Sequence, residues 1–136
     1  MATILIVEDD PAVARLLELA FAVEGYRTEV LTSGGEARAR LEGPATDLVV
    51  LDVMLPDIDG LAVLRALRGH VGWEDSKVVL LTALGADDDV WRGWASGTDY
   101  YLTKPFELPQ LRAIAERLLS GEDLSGEAPS RIVETA

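Results

Sequence analysis

The sequence contains no cysteine, so it can build neither a disulfide framework nor a thiolate metal centre, an absence that fits a reducing, cytoplasmic setting. It has a single histidine, His70, in the loop "RGHVGWED", with no second imidazole at ligand spacing, and we read it as solvated. Cations are scarce: twelve Lys and Arg face twenty-four Asp and Glu, a formal net charge of −12. That balance opposes unassisted binding to a phosphate backbone, so the expectation is no direct nucleic-acid contact by this chain. Long apolar runs are missing as well. Hydrophobic residues make up 49% of the chain but occur in short stretches, none near the roughly 20 residues of a membrane span. The opening "MATILIVEDD" shows neither a basic n-region nor a cleavage site. No P-loop or dinucleotide fingerprint is present. What remains is a 136-residue acidic chain, long enough for one core.

Five short β-rich runs alternate with helix-like stretches: "TILIV" at 3–7, "RTEVL" at 27–31, "DLVVL" at 47–51, "KVVLL" at 77–81 and "YYL" at 100–102. Three are nearly continuous aliphatics, as strands covered on both faces are. The second alternates, as an edge strand does. Between them, Val13, Leu16, Leu17 and Ala20 give a helical stripe after Pro11, stopped by Gly25. Ser33 opens a helix over 34–42, and Leu61, Leu64 and Leu67 mark one over 60–69. A fourth is predicted over 87–96, where Asp87, Asp88 and Asp89 favour the positive helix end and Trp91 and Trp94 share one face. The last runs from about Glu107 through Leu108, Leu111, Ala115 and Leu118. Strict alternation with short connections predicts an α/β doubly wound five-stranded parallel sheet, order 2-1-3-4-5, with five helices. The domain reads as residues 1–120, and 121–136 as a flexible tail or a truncated linker, rich in Gly, Ser, Pro and acids.

The chemistry collects at the strand ends. In "DYYLTKPFEL" the proline forces Lys104 out of helical backbone, at the carboxyl end of the last strand and just outside it. Its ammonium there either reaches water or meets an anion. The other strands end in Glu8, Asp9 and Asp10, in Asp52, and in Thr82. At about 4 Å and an effective dielectric near 20, two carboxylates repel by roughly 4 kcal/mol, so such a cluster needs a counter-charge or a proton. Mg²⁺ with its preference for carboxylate oxygens and water answers this, and Lys104 adds charge. A cation, an ammonium and a hydroxyl around one aspartate suit phosphoryl transfer.

Taken together, "ILIVEDDP", "LVVLDVMLPDIDG", "VVLLTA" and "DYYLTKPF" resemble the receiver domains of bacterial two-component response regulators, the CheY-like superfamily, from residue 3 to about 120. The resemblance implies that Asp52 accepts a phosphoryl group from a sensor histidine kinase or histidine phosphotransfer protein. It implies Mg²⁺ held by Glu8, Asp9, Asp52 and the backbone carbonyl of Met54, with Thr82 and Lys104 on the phosphoryl oxygens. Tyr101 falls at the family's aromatic switch, and the switched surface comprises the fourth helix, fifth strand and last helix. It would act on a downstream protein or fused output domain, or form a phosphorylation-dependent homodimer. Such a domain is not an enzyme, but promotes its own phosphorylation and dephosphorylation.

Some residues depart from the pattern. Gln110 and Ile114 stand where receivers feeding winged-helix domains carry an acid and an arginine for a charged dimer contact. Apolar Met54 and Leu84, each two residues past a site residue, suggest slow loss of the phosphoryl group. Asp10, Asp57 and Asp59 read as helix caps, the last two for the helix that follows. Two other classes share the topology. A haloacid-dehalogenase phosphatase wants a second Asp where Met54 stands, and a phosphate-independent or flavin-binding module leaves the acidic set unexplained.

Overall fold

The aliphatic runs form five parallel strands in the computed structural model, which describes residues 2–83 and 97–124. They are β1 (Thr3–Val7), β2 (Arg27–Leu31), β3 (Leu48–Asp52), β4 (Lys77–Ala83) and β5 (Tyr100–Lys104), in the order β2-β1-β3-β4-β5. The described helices are α1 (Pro11–Val23), α2 (Gly34–Arg40), α3 (Gly60–Arg68) and α4 (Leu108–Leu119). The helix predicted over 87–96, with its two tryptophans and Leu84, lies outside the described residues. β3 is buried at every position between β1 and β4, whereas β2 alternates at the edge. β5 extends two residues past its aliphatic run, so Lys104 is the strand's last residue, in register with Ala83, and not outside it.

Strand alternation divides the core in two. Ile4, Ile6, Val50, Val79, Leu81 and Leu102 face α1 and α4, while Leu5, Val7, Val49, Leu51, Val78 and Leu80 face α2 and α3. α1 is rotated from the expected stripe: Ala14, Leu17 and Phe21 are buried, and Leu16 is 54% exposed. Leu124, in the stretch read as tail, is buried in the same cluster as Leu118.

Local polar contacts set the boundaries. Asp10 caps α1 by accepting from Ala12 N at 2.9 Å, and Asp59 caps α3 through Leu61 N at 2.9 Å. Asp57 does not cap the following helix; its carboxylate crosses to the start of α2. Arg68 ties the end of α3 to the sheet, donating to Ser76 O at 2.6 Å, Gly97 O at 2.7 Å and Asp99 Oδ2 at 2.8 Å. Trp73, in the loop after α3, is fully buried and donates from Nε1 to Leu41 O at 2.9 Å.

His70 is not simply solvated. Its Nε2 lies 3.1 Å from Glu42 Oε2 and its Nδ1 3.1 Å from Val71 O, so both ring nitrogens face acceptors. The Glu42 hydrogen bond, then that to Val71 O, raises its pKa above 6.5. A raised folded-state pKa stabilises the fold most fully below the unfolded value, and the contribution is lost as pH rises through the folded value. An NMR titration of His70 should therefore have its midpoint above that of an unfolded histidine, and Glu42→Gln should lower it.

Candidate functional site

Parallel strands bring all their carboxyl ends to one edge, and the order places the crevice where β1 and β3 adjoin. Glu8 follows β1, Asp52 ends β3, Thr82 is near the end of β4, and Lys104 ends β5. Residues up to 96 positions apart in the chain thus become neighbours. Lys104 Nζ donates to Glu8 Oε1 at 2.8 Å and to Asp52 Oδ2 at 3.0 Å. The lysine meets two carboxylates.

The two carboxylates are deeply placed, Glu8 1% and Asp52 3% exposed, while Asp9 is exposed at the rim. One ligand oxygen from each of Glu8, Asp9 and Asp52 lies within 4.8 Å of the others. Burial pushes the Glu8 pKa up to about 7; Lys104 opposes this and Asp52 adds to it. For Lys104, partial burial pulls the pKa down, but the Glu8 and Asp52 hydrogen bonds outweigh it and the net shift is upward. Burial and the neighbouring Asp52 carboxylate thus favour the protonated form of Glu8, against the pull of the Lys104 ammonium.

The remaining oxygens of these acids are aligned by backbone. Asp52 Oδ1 accepts from Met54 N at 2.9 Å, and Glu8 Oε2 accepts from Asp10 N at 3.2 Å. Thr82 is 1% exposed, and its Oγ1 has no hydrogen-bond partner among the described residues. An orphaned buried hydroxyl costs stability unless something else satisfies it. Tyr101, in register with Leu80, shares with Thr82 the sheet face packed by α2 and α3. Its ring lies 6.5 Å from that of Tyr100.

The loop between β3 and α3 depends on Gly60, a residue that strand and helix periodicity does not single out. A Cβ there would lie 2.2 Å from Asp52 O and 2.7 Å from Val53 Cα, and backbone atoms cannot move aside. Glycine before the α3 stripe was the available signal. Gly60→Ala should destabilise the fold by about 1–3 kcal/mol, measurable by urea unfolding, because either α3 or the Asp52 backbone must shift.

Site and sheet together define a doubly wound α/β domain with an acidic, oxygen-rich basin at its switch point. The response regulator receiver domain family model matches residues 4–116, and the chain belongs to that family. It is 38% identical over 123 residues to the DNA-binding dual master transcriptional regulator RpaA of Synechocystis, covering 90% of this chain and 51% of that protein. It is 44% identical over 118 residues to the transcriptional regulatory protein TcrA of Mycobacterium tuberculosis, covering 84% and 46%. The chain thus spans about half the length of these relatives. Among solved structures it is similar to the receiver domain of a sensor histidine kinase of Pseudomonas aeruginosa, with a TM-score of 0.81 and 28% identity over 88% of this chain and 98% of that one. That receiver has a magnesium ion coordinated in its active site cleft. The chain is accordingly a receiver domain with a phosphoacceptor signalling role in two-component signal transduction. Among the described residues, no helix is long and apolar enough to cross a membrane.

Proposed function

We propose that Asp52 is the phosphoacceptor, and that the domain promotes its own phosphorylation and dephosphorylation in a Mg²⁺-dependent manner. The observation that carries this reading is the convergence of buried Asp52 with Glu8, Asp9, Lys104 and an unsatisfied Thr82 hydroxyl. The donor set fits Mg²⁺: carboxylate oxygens with no soft ligand, the rim open to water at Asp9, and one carboxyl pushed towards protonation where a cation is wanted. Glu8, Asp9, Asp52 and the Met54 carbonyl would hold it, and it would supply charge neutralisation for the transferring phosphoryl group.

The chain's own groups then have separate tasks. Met54 N fixes one Asp52 oxygen, leaving the carboxylate oriented for attack. An Asp52 oxygen bonds to phosphorus as the bond from phosphorus to the donor nitrogen breaks, its electron pair leaving with the nitrogen. Lys104, now shared by Glu8 and Asp52, shifts to a phosphoryl oxygen, and Thr82 Oγ1 gains the acceptor it lacks. Movement of Thr82 opens space on the face that Tyr101 shares, which biases the surface around β5.

The donor would be a sensor histidine kinase or histidine phosphotransfer protein. An apolar groove of about 440 Å³, lined by Val13, Leu16, Pro105, Phe106 and Leu108, adjoins Lys104 and offers it a seat. A downstream protein or fused output domain, or a phosphorylation-dependent homodimer, would read the switched surface. Ile114 is buried in the core, which argues against its joining a charged dimer contact. We place the signalling in the cytoplasm, with residues 1–120 as receiver and 121–136 as tail or linker, of which Leu124 is buried against the core.

The test is incubation with acetyl phosphate, with and without Mg²⁺, read by intact mass. A Mg²⁺-dependent phosphoryl adduct supports the reading, and its absence under both conditions defeats it. With Met54 67% exposed and apolar, the adduct should be slow to disappear; a lifetime of seconds would contradict that.

A further inference from the structure

The loop joining β3 to α3 is anchored at both of its levels. At the base, Met54 N donates to Asp52 Oδ1 at 2.9 Å, Gly60 N donates to Val53 O at 2.8 Å, and Met54 bridges to Asp59. At the tip, the Asp57 carboxylate leaves its own loop. Its Oδ1 accepts from Gly34 N at 2.8 Å, and its Oδ2 from Gly35 N at 2.9 Å. Oδ1 also accepts from Ile58 N at 3.0 Å. Both oxygens are thus engaged by two successive backbone donors at the start of α2, a helix that supplies no ligand to the acidic basin.

The approach is made possible by the two glycines. A Cβ on Gly34 would lie 2.8 Å from Ile58 Cβ, and one on Gly35 would lie 3.1 Å from Asp57 Oδ2. Ile58 packs against the buried cluster of α2 and α3, so a polar clamp and an apolar contact press the same two residues of the loop onto α2. The hydrogen bonds from Gly34 and then Gly35 hold the Asp57 carboxyl below the ordinary aspartate pKa, so it is an anion whenever the domain is folded near neutral pH.

We propose that Asp57 is a positioning residue: by tethering the loop tip to Gly34 and Gly35 of α2, it sets the place of Met54 and hence of the carbonyl offered to Mg²⁺. The inference rests on the metal reading given above. Met54 is held at the base by Asp52 and by its bridge to Asp59, and the loop between Met54 and Asp59 is held at its tip by Asp57 on Gly34 and Gly35. Partners of this outer kind govern how well a ligand is presented without touching the ion themselves.

The experiment is a Mg²⁺ titration followed by backbone amide NMR of the parent, Asp57→Ala and Asp57→Asn. Both substitutions remove the same charge, so any difference between them reports the clamp and not the field. Asn keeps a carbonyl that can still accept from Gly34 N. In metal-free protein, the Met54 and Ile58 amides should move in Asp57→Ala while that of Phe21 stays. The Mg²⁺ concentration that half-saturates the Asp9 amide shift should rise roughly tenfold in Asp57→Ala, and distinctly less in Asp57→Asn. Equal weakening in the two variants, or none with only a lowered melting temperature, would overturn the proposal and leave Asp57 a plain cap. A parent with no saturable shift would instead overturn the metal reading, and this inference with it.

Discussion

Asp52→Asn is expected to take up no phosphoryl group from acetyl phosphate with Mg²⁺ present, while folding at least as stably as the parent. The two halves of that expectation have different causes. An amide oxygen carries no full negative charge to attack phosphorus, and the acyl phosphate it would need cannot form from it. The fold should survive because the amide oxygen can still accept from Met54 N, and Lys104 retains Glu8 as its partner at 2.8 Å. One of two neighbouring buried carboxylates has meanwhile been neutralised, which removes repulsion. Intact mass with and without acetyl phosphate, beside a urea unfolding curve, reads both. An adduct of the same size on the variant would show that another residue accepts the group. Loss of folding would show that Asp52 is held chiefly for structure.

Trp73→Ala should cost about 3–5 kcal/mol, a large share of the ~5–15 kcal/mol by which a domain of this kind is stable. Trp73 is fully buried in the cluster built by residues of α2, α3, β3 and β4. Its Nε1–H also satisfies Leu41 O at the end of α2, and Arg40 lies 5.4 Å from the centre of its ring. Trp73→Phe separates these contributions. It restores most of the volume but leaves the Leu41 carbonyl without its indole donor, for which a loss of about 1–3 kcal/mol is expected. Chemical denaturation of the three proteins decides it: equal stability of the alanine variant and the parent would mean that the loop around Trp73 can open without consequence.

The sheet was legible because its signal is local. Aliphatic runs of strand length, separated by helix-period stretches, specify parallel strands whatever the details of packing, and β1 to β4 begin within a residue of their runs. The acids and the lysine were legible for a related reason. A doubly wound sheet gathers its strand ends, so Glu8, Asp52, Thr82 and Lys104 could be placed together from their positions after strands alone. The buried face of α1 was less legible. Leu16 and Leu17 are both apolar, and only the sheet underneath decides that Leu17 is covered and Leu16 is not.

What the sequence by itself determined was the order of elements, the acidic basin and the identity of the residues in it, since composition and strand-end position suffice for these. The tertiary structure decided the contacts that join distant segments. Asp57 could have capped the next helix, but the loop turns it onto Gly34 and Gly35. His70 found Glu42, Trp73 found Leu41, Arg68 found Asp99, and Leu124 returned to the core. Short polar or loop residues carry no periodicity, and their partners are set by the path of the backbone through space. The same holds for Gly60, whose necessity appears only when Asp52 O is seen where its Cβ would be.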